Sequence, residues 1–188
     1  MGVSNGTTAL ELALKASGIG PGDEVITVAN TFFATVEAIL NVGALPVFVD
    51  VEIATGLIDG TQIEERITKR TKAILVVHLF GHLADMPKLK VIADEYSLVL
   101  IEDAAQAHGA LGSWGGPGHL SKAATFSFFP GKNLGAWGDA GAVITNNSEL
   151  ANSIRKLKDH GRSSKYEHEL VGTNARLDSL QAEILSVK

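Results

Sequence analysis

Cysteine is absent from the 188 residues, so neither a disulfide framework nor a thiolate metal site is available, and an intracellular enzyme is the simpler expectation. No stretch approaches the roughly 20 apolar residues of a membrane-spanning helix. No N-terminal run joins basic residues to an apolar segment and a cleavage site, which predicts a cytoplasmic protein. Positive charge is in deficit: 16 Lys and Arg against 21 Asp and Glu give a formal net charge of −5. That balance offers no electrostatic reason to expect nucleic acid or an anionic membrane as partner. Repeats, low-complexity tracts and proline-rich linkers are missing too, so one domain is expected. What is present, 45% hydrophobic and 20% charged residues, is enough to bury a core, and small metabolites are the expected ligands.

Short β-branched runs recur at residues 24–29, 45–51, 72–80, 97–103, 124–129 and 140–145. Several are apolar on consecutive positions, as strands covered on both faces should be. Stretches with helical spacing separate the first four, at residues 31–43, 61–69 and 86–96. This alternation predicts an α/β fold with a mostly parallel, doubly wound sheet and helices on both faces. The last two runs are joined only by a glycine-rich loop, too short for a parallel crossover, so the run "AGAVIT" is predicted to be antiparallel to its neighbours. Helices are expected near 148–159 and 175–187. The sequence starts almost at a helix, with only Val3 left of any strand feeding it, and stops inside an amphipathic helix; both ends predict a piece of a longer domain.

Three places carry chemistry. In "SNGTTALELAL", Ser4, Asn5 and Gly6 lead into a helix, and Thr8 and Glu11 have the spacing of a capping box. The segment is either an ordinary cap or an anion site built on the free N–H groups of a first turn. In "LVLIEDAAQAHGA", Glu102 and Asp103 end an apolar run and so lie at the carboxyl edge of a strand, where open α/β sheets bind ligands. Side chains alternate along a strand, so the two carboxylates should point to opposite faces. Each either caps a neighbouring helix or, if buried, needs several donors or a cationic partner, for which a protonated nitrogen heterocycle is suited. In "FSFFPGKNLGAWGD", Lys132 follows Phe128, Phe129, Pro130 and Gly131. Flanks of this kind solvate an ammonium poorly and favour a nucleophilic amine capable of Schiff-base chemistry, although a surface hairpin lysine has the same surroundings in sequence. Ser127, five positions earlier, can turn its hydroxyl to an anion. His78 and His82 are four apart, but where a strand ends rather than along a helix, and no third metal ligand is evident. The run "GSWGGPGHLSK" has no dinucleotide or P-loop spacing and reads as a flexible loop, while "HGRSSKYEHELVG" reads as a polar surface segment or a substrate-facing one.

Taken in order, "VSNGTTAL", "TFFAT", "PVFVDV", "VHLFG", "IEDAAQAHGA", "FSFFPGKNLGAWGDAGAVIT" and "VGTNARLDSLQAEIL" resemble the DegT/StrS family of sugar aminotransferases nearly end to end. The resemblance implies the large domain of a fold-type I enzyme using pyridoxal 5'-phosphate, here residues 1–188, without the smaller C-terminal domain and with an open sheet edge beside "AGAVIT". It implies that Lys132 holds the cofactor as an internal aldimine and then shuttles a proton, and that Asp103, not Glu102, pairs with the pyridine nitrogen. Phe32 and Ala105 would flank the ring, leaving Phe33 for the core, and Gln106 would neighbour the phenolic oxygen. Thr7, Thr8 and Ser127 would hold the phosphate, with Asn174 reaching it from the other subunit of a homodimer. The implied reaction moves an amino group from L-glutamate to a keto group of a nucleotide-linked, dTDP-type deoxysugar. Relatives that act as dehydratases carry histidine in place of this lysine, so Lys132 counts against that branch; the alternatives are a non-catalytic or regulatory relative and a pyridoxal-phosphate enzyme of another reaction type, such as elimination. Phe129, Thr8, Trp137 and Ala140 depart from the residues common in the family, and the missing hydroxyl at Phe129 removes one contact.

Overall fold

The computed structural model describes residues 1–188. Seven strands form one mixed sheet: β1 (Gly2–Val3), β2 (Glu24–Val28), β3 (Leu45–Val49), β4 (Thr71–Val77), β5 (Val99–Asp103), β6 (Ala123–Ser127) and β7 (Gly141–Ile144), in the order β1-β7-β6-β5-β4-β2-β3. The pairs from β3 through β6 are parallel, and β7 runs antiparallel to both β6 and β1, as the short β6–β7 connection demands. The edge beside β7, expected to be open, is instead occupied by β1, because Gly2 and Val3 suffice for two register pairs, Gly2 with Ala142 and Val3 with Gly141.

Consecutive apolar residues in the strands serve opposite faces. Val25, Ala73, Leu75, Ile101 and Val143 join a core with α1 (Gly6–Ala16), α2 (Ala34–Asn41) and α4 (Ser148–Leu157). Their neighbours Ile26, Ile74, Val76 and Leu100 join a second core with α3 (Met86–Glu95). The sheet is therefore covered on both sides, which is why its central strands lack polar alternation.

Three further expectations change. Residues 61–69 form no α-helix but two 3₁₀ turns, Gly60–Gln62 and Glu64–Arg66. Ile63, between the two turns, is the only fully buried apolar residue of 61–69, and the Thr68 hydroxyl is drawn away to Glu24 Oε2 at 2.5 Å, ending any helical run. The last helix, α5 (Ser179–Val187), starts later than residue 175, because Asn174 and Arg176 are held extended by bridges to Asp159 and Val3. Phe33 is not a core residue: it is 63% exposed at the start of α2, whose inward positions are filled by Ala34, Thr35, Ala38 and Ile39. No helix is long and apolar enough to cross a membrane.

Candidate active site

Three parallel strands end at one cavity of about 630 Å³: Val77 closes β4, Asp103 closes β5 and Ser127 closes β6, and all three line it. The start of α1 forms another wall with Gly6, Thr7 and Thr8. Asn5 caps the helix, its Oδ1 accepting the Thr8 N–H at 2.8 Å. The helix thus starts ahead of Thr8, and the expected Thr8–Glu11 box does not form; Glu11 instead accepts a bond from Asn41. The N–H groups of Gly6 and Thr7 have no i−4 carbonyl within the helix and remain available at the cavity. Gly6 is needed for closeness: a Cβ there would fall 2.7 Å from Ser127 Cβ. A helix N-terminus, two threonine hydroxyls and the Ser127 hydroxyl so converge into a cradle suited to a phosphate.

Asp103 is 8% exposed. Its Oδ2 accepts the Thr35 hydroxyl at 2.7 Å and its Oδ1 the Ala105 N–H at 3.1 Å. Burial pushes its pKa above the ordinary carboxylate value; the Thr35 hydroxyl, the Ala105 N–H, and the charges of Lys132 and His78 only partly offset this. A cationic ligand group in the cavity would complete the compensation, so the donor set fits a protonated ring nitrogen. Lys132 lines the same cavity, half-buried, in a turn closed by its own N–H to the Phe129 carbonyl at 2.8 Å. Gly135 holds that loop together, since any Cβ there would lie 2.4 Å from the Pro130 carbonyl oxygen.

Phe32, Ala105 and Gln106 also line the cavity. Gln106 Oε1 accepts the Phe80 N–H at 2.7 Å, which leaves its NH₂ as the free end. That bond helps fix Phe80, whose φ of 55° lies in the left-handed region. Of the residues singled out from the sequence, the structure brings Thr7, Thr8, Phe32, Asp103, Ala105, Gln106, Ser127 and Lys132 to one cavity. Asn174 is not among its walls; exposed, it accepts a bond from Arg176 Nε at 3.1 Å.

Glu102 points away from Asp103, as alternation requires. Its Oε2 meets His78 Nε2 at 2.6 Å, and its Oε1 accepts the Gly118 N–H at 2.7 Å and the Ser121 hydroxyl. His78 Nδ1 accepts the Ala84 N–H at 3.2 Å, so the ring proton sits on Nε2 and is donated to Glu102. The glycine-rich segment before β6 is therefore tied down at Gly118 and Ser121. His108 lies between the rings of Phe126 and Phe128, and burial pushes its pKa down. Three residues at the site were missed in the sequence, Thr31, Thr35 and Glu37, and His78 was weighed only as a metal ligand. The two threonines carried a readable signal, a four-residue spacing at a helix start.

Comparison with known proteins points the same way. A family model for the DegT/DnrJ/EryC1/StrS aminotransferases matches residues 1–188. A "pleiotropic regulatory protein" of Geobacillus stearothermophilus is 54% identical over the whole chain, which covers 50% of that relative. The dTDP-3-amino-3,4,6-trideoxy-alpha-D-glucose transaminase of Streptomyces venezuelae is 48% identical, with the same coverages of 100% and 50%. The crystal structure of S. venezuelae DesV in complex with a ketimine intermediate superposes with a TM-score of 0.97 at 49% identity, over 100% of this chain and 50% of that one. The structure of NtdA from Bacillus subtilis with bound PMP gives 0.94 at 42% identity, over 98% and 42%. The chain spans about half the length of the curated relatives it matches, and it belongs to the DegT/DnrJ/EryC1/StrS aminotransferase family.

Proposed function

We propose that residues 1–188 form the cofactor-binding large domain of a pyridoxal-phosphate aminotransferase that moves an amino group from L-glutamate to a keto group of a nucleotide-linked deoxysugar. One observation carries the reading: a single cavity joins an amine, a buried carboxylate lacking a full set of partners, and an anion cradle. Bound pyridoxal phosphate supplies an aldehyde and a ring that accepts the electron pair left when a C–H bond beside nitrogen breaks. With the cofactor bound, Lys132 would be the amine that holds it through its aldehyde and, when released, the base positioned to take up a proton in the cavity. Asp103 would accept the ring N–H and favour its protonated form. Gly6, Thr7, Thr8 and Ser127 would hold the phosphate, Phe32 and Ala105 would pack against the ring, and the free NH₂ of Gln106 would be a donor for its phenolic oxygen.

The site is shared in a homodimer. Phe32, Phe80, Phe129 and Trp137 are 70%, 86%, 56% and 78% exposed on and around the cavity and its loops, an apolar rim that a second copy would cover. Asn174, outside the cavity of its own chain, is free to serve the partner's phosphate. The names of relatives favour a dTDP- or UDP-linked sugar aminated at position 3. No membrane or nucleic acid is involved, and the enzyme works in the cytoplasm. The alternative of a regulatory relative draws on two similar proteins named for regulation and sensory transduction; the presence of both Lys132 and Asp103 favours catalysis.

Adding pyridoxal phosphate to the protein should generate a visible absorbance band that the Lys132→Ala variant lacks. L-glutamate should then convert the cofactor to its pyridoxamine form with release of 2-oxoglutarate. A band persisting without the lysine would remove its role, and no conversion with glutamate or glutamine would exclude transamination.

A further inference from the structure

Residues 31–35, Thr-Phe-Phe-Ala-Thr, enter α2 and supply Phe32 to the cavity, but their two threonines do something separate. Thr31 precedes α2 and Thr35 lies in its first turn, and the chain entering the helix brings the two side chains together. Their hydroxyl oxygens are 2.7 Å apart, and the Thr35 hydroxyl donates to Asp103 Oδ2 at 2.7 Å. Counting hydrogens fixes the direction of this chain. A hydroxyl has one proton to give, and an ionised carboxylate only accepts. The Thr35 proton is therefore committed to Asp103, and the bond between the threonines must run from Thr31 to Thr35.

Thr35 is fully buried, and valine has nearly the same shape, so packing alone does not explain a hydroxyl there. Thr31 is half-buried and lines the cavity, which makes it the outer end of the chain. With Oδ2 held by Thr35 and Oδ1 by the Ala105 N–H, the plane of the carboxylate is set from both sides. The charged or titratable groups nearest in influence are Lys132 and His78, and neither is hydrogen-bonded to it.

We infer that Thr35, backed by Thr31, is a positioning residue that fixes the Asp103 carboxylate as an acceptor aimed into the cavity, so that the ring nitrogen of a bound cofactor stays protonated. The inference rests on the pyridoxal-phosphate reading above. One five-residue segment then sets both the aromatic wall, through Phe32, and the electron demand of the ring, through a residue that never touches it.

The test uses holoenzyme loaded with pyridoxal phosphate labelled with ¹⁵N in the ring, loading being followed by the visible band. In the wild type the ring ¹⁵N resonance should sit at the protonated position. Thr35→Val should move it toward the unprotonated position and slow the glutamate half-reaction about tenfold, the scale of one lost hydrogen bond to a charged group. Thr35→Ser should restore both, and Thr31→Val should give a smaller shift in the same direction. Wild-type resonances in both valine variants, or a serine variant that behaves like valine, would overturn the inference while leaving the cofactor reading intact. If Thr35→Val does not fold, the Thr31→Val resonance decides alone. A wild-type protein that takes up no labelled cofactor would overturn the proposed function and this inference together.

Discussion

Glu102 and Asp103 are adjacent, buried and of the same charge, yet their surroundings differ in kind. Glu102 receives three donors from within the chain, the His78 ring N–H, the Gly118 N–H and the Ser121 hydroxyl. Asp103 receives two, and its open side faces a cavity. A carboxylate with a full set of internal partners holds segments together: here it ties β4, β5 and the glycine-rich loop. A carboxylate with an incomplete set carries an unfavourable desolvation that protonation or a cationic ligand can relieve. The contrast separates the acid that ties segments together from the acid left open to the cavity, for which the chemical role is proposed, and it follows from the alternation of one strand.

The comparison is broken most decisively on the Asp103 side. Asp103→Asn should lower the glutamate half-reaction by about 10²–10⁴-fold, measured by stopped-flow, because the ring nitrogen loses its anionic partner. The same change should stabilise the cofactor-free protein. The pKa of Asp103 is raised on folding, so its favourable contribution is present below the unfolded value of 3.8 and is lost as pH rises through the raised native value. The melting-temperature difference between variant and wild type should therefore be near zero below pH 3.8 and grow in the variant's favour as pH rises through the raised native value. A difference independent of pH would contradict the assignment.

On the other side, Glu102→Ala should cost about 3–5 kcal/mol by urea unfolding, because it strands three buried donors. Activity per loaded, folded molecule should stay within about twofold. A loss of rate as large as that of Asp103→Asn would erase the distinction. A smaller effect is expected at the anion cradle. Gly6→Ala places a methyl group 2.7 Å from Ser127 Cβ and should cost about 1–3 kcal/mol through overpacking. It should also weaken cofactor phosphate binding about tenfold, read from titration of the visible band; unchanged affinity would show that the helix start and Ser127 do not act as one cradle.

Much of this was legible in the sequence for stated reasons. Lys132, Asp103 and Ser127 sit beside or at strand ends, so the parallel-sheet reading carried them to one edge without further information. The opposite orientation of Glu102 followed from alternation, but its partners did not: His78, Gly118 and Ser121 come from segments 24, 16 and 19 residues away, and no local pattern announces such a meeting. The misread helix at 61–69 had Ile63 and Ile67 at helical spacing, and the tertiary bond from Thr68 to Glu24 overrode it. Phe33 illustrates a finer failure. Two adjacent phenylalanines suggest one inside and one outside, whereas both precede the regular turns of α2 and both remain exposed.

The reversed direction of β7 reaches beyond the order of the sheet. A parallel crossover carries the chain to the far rim before the next strand begins, whereas a hairpin-like return leaves and re-enters at the same rim. The loop with Lys132 is thus tethered at both feet, by the Phe128–Ala140 and Ala136–Phe128 backbone bonds, to the rim where Asp103 ends its strand. Reach and direction of the amine are set by a short span with two fixed anchors, so residues inserted between 129 and 135 would swing it off target, while insertions at the opposite rim, near 65–70, would leave its aim unaltered.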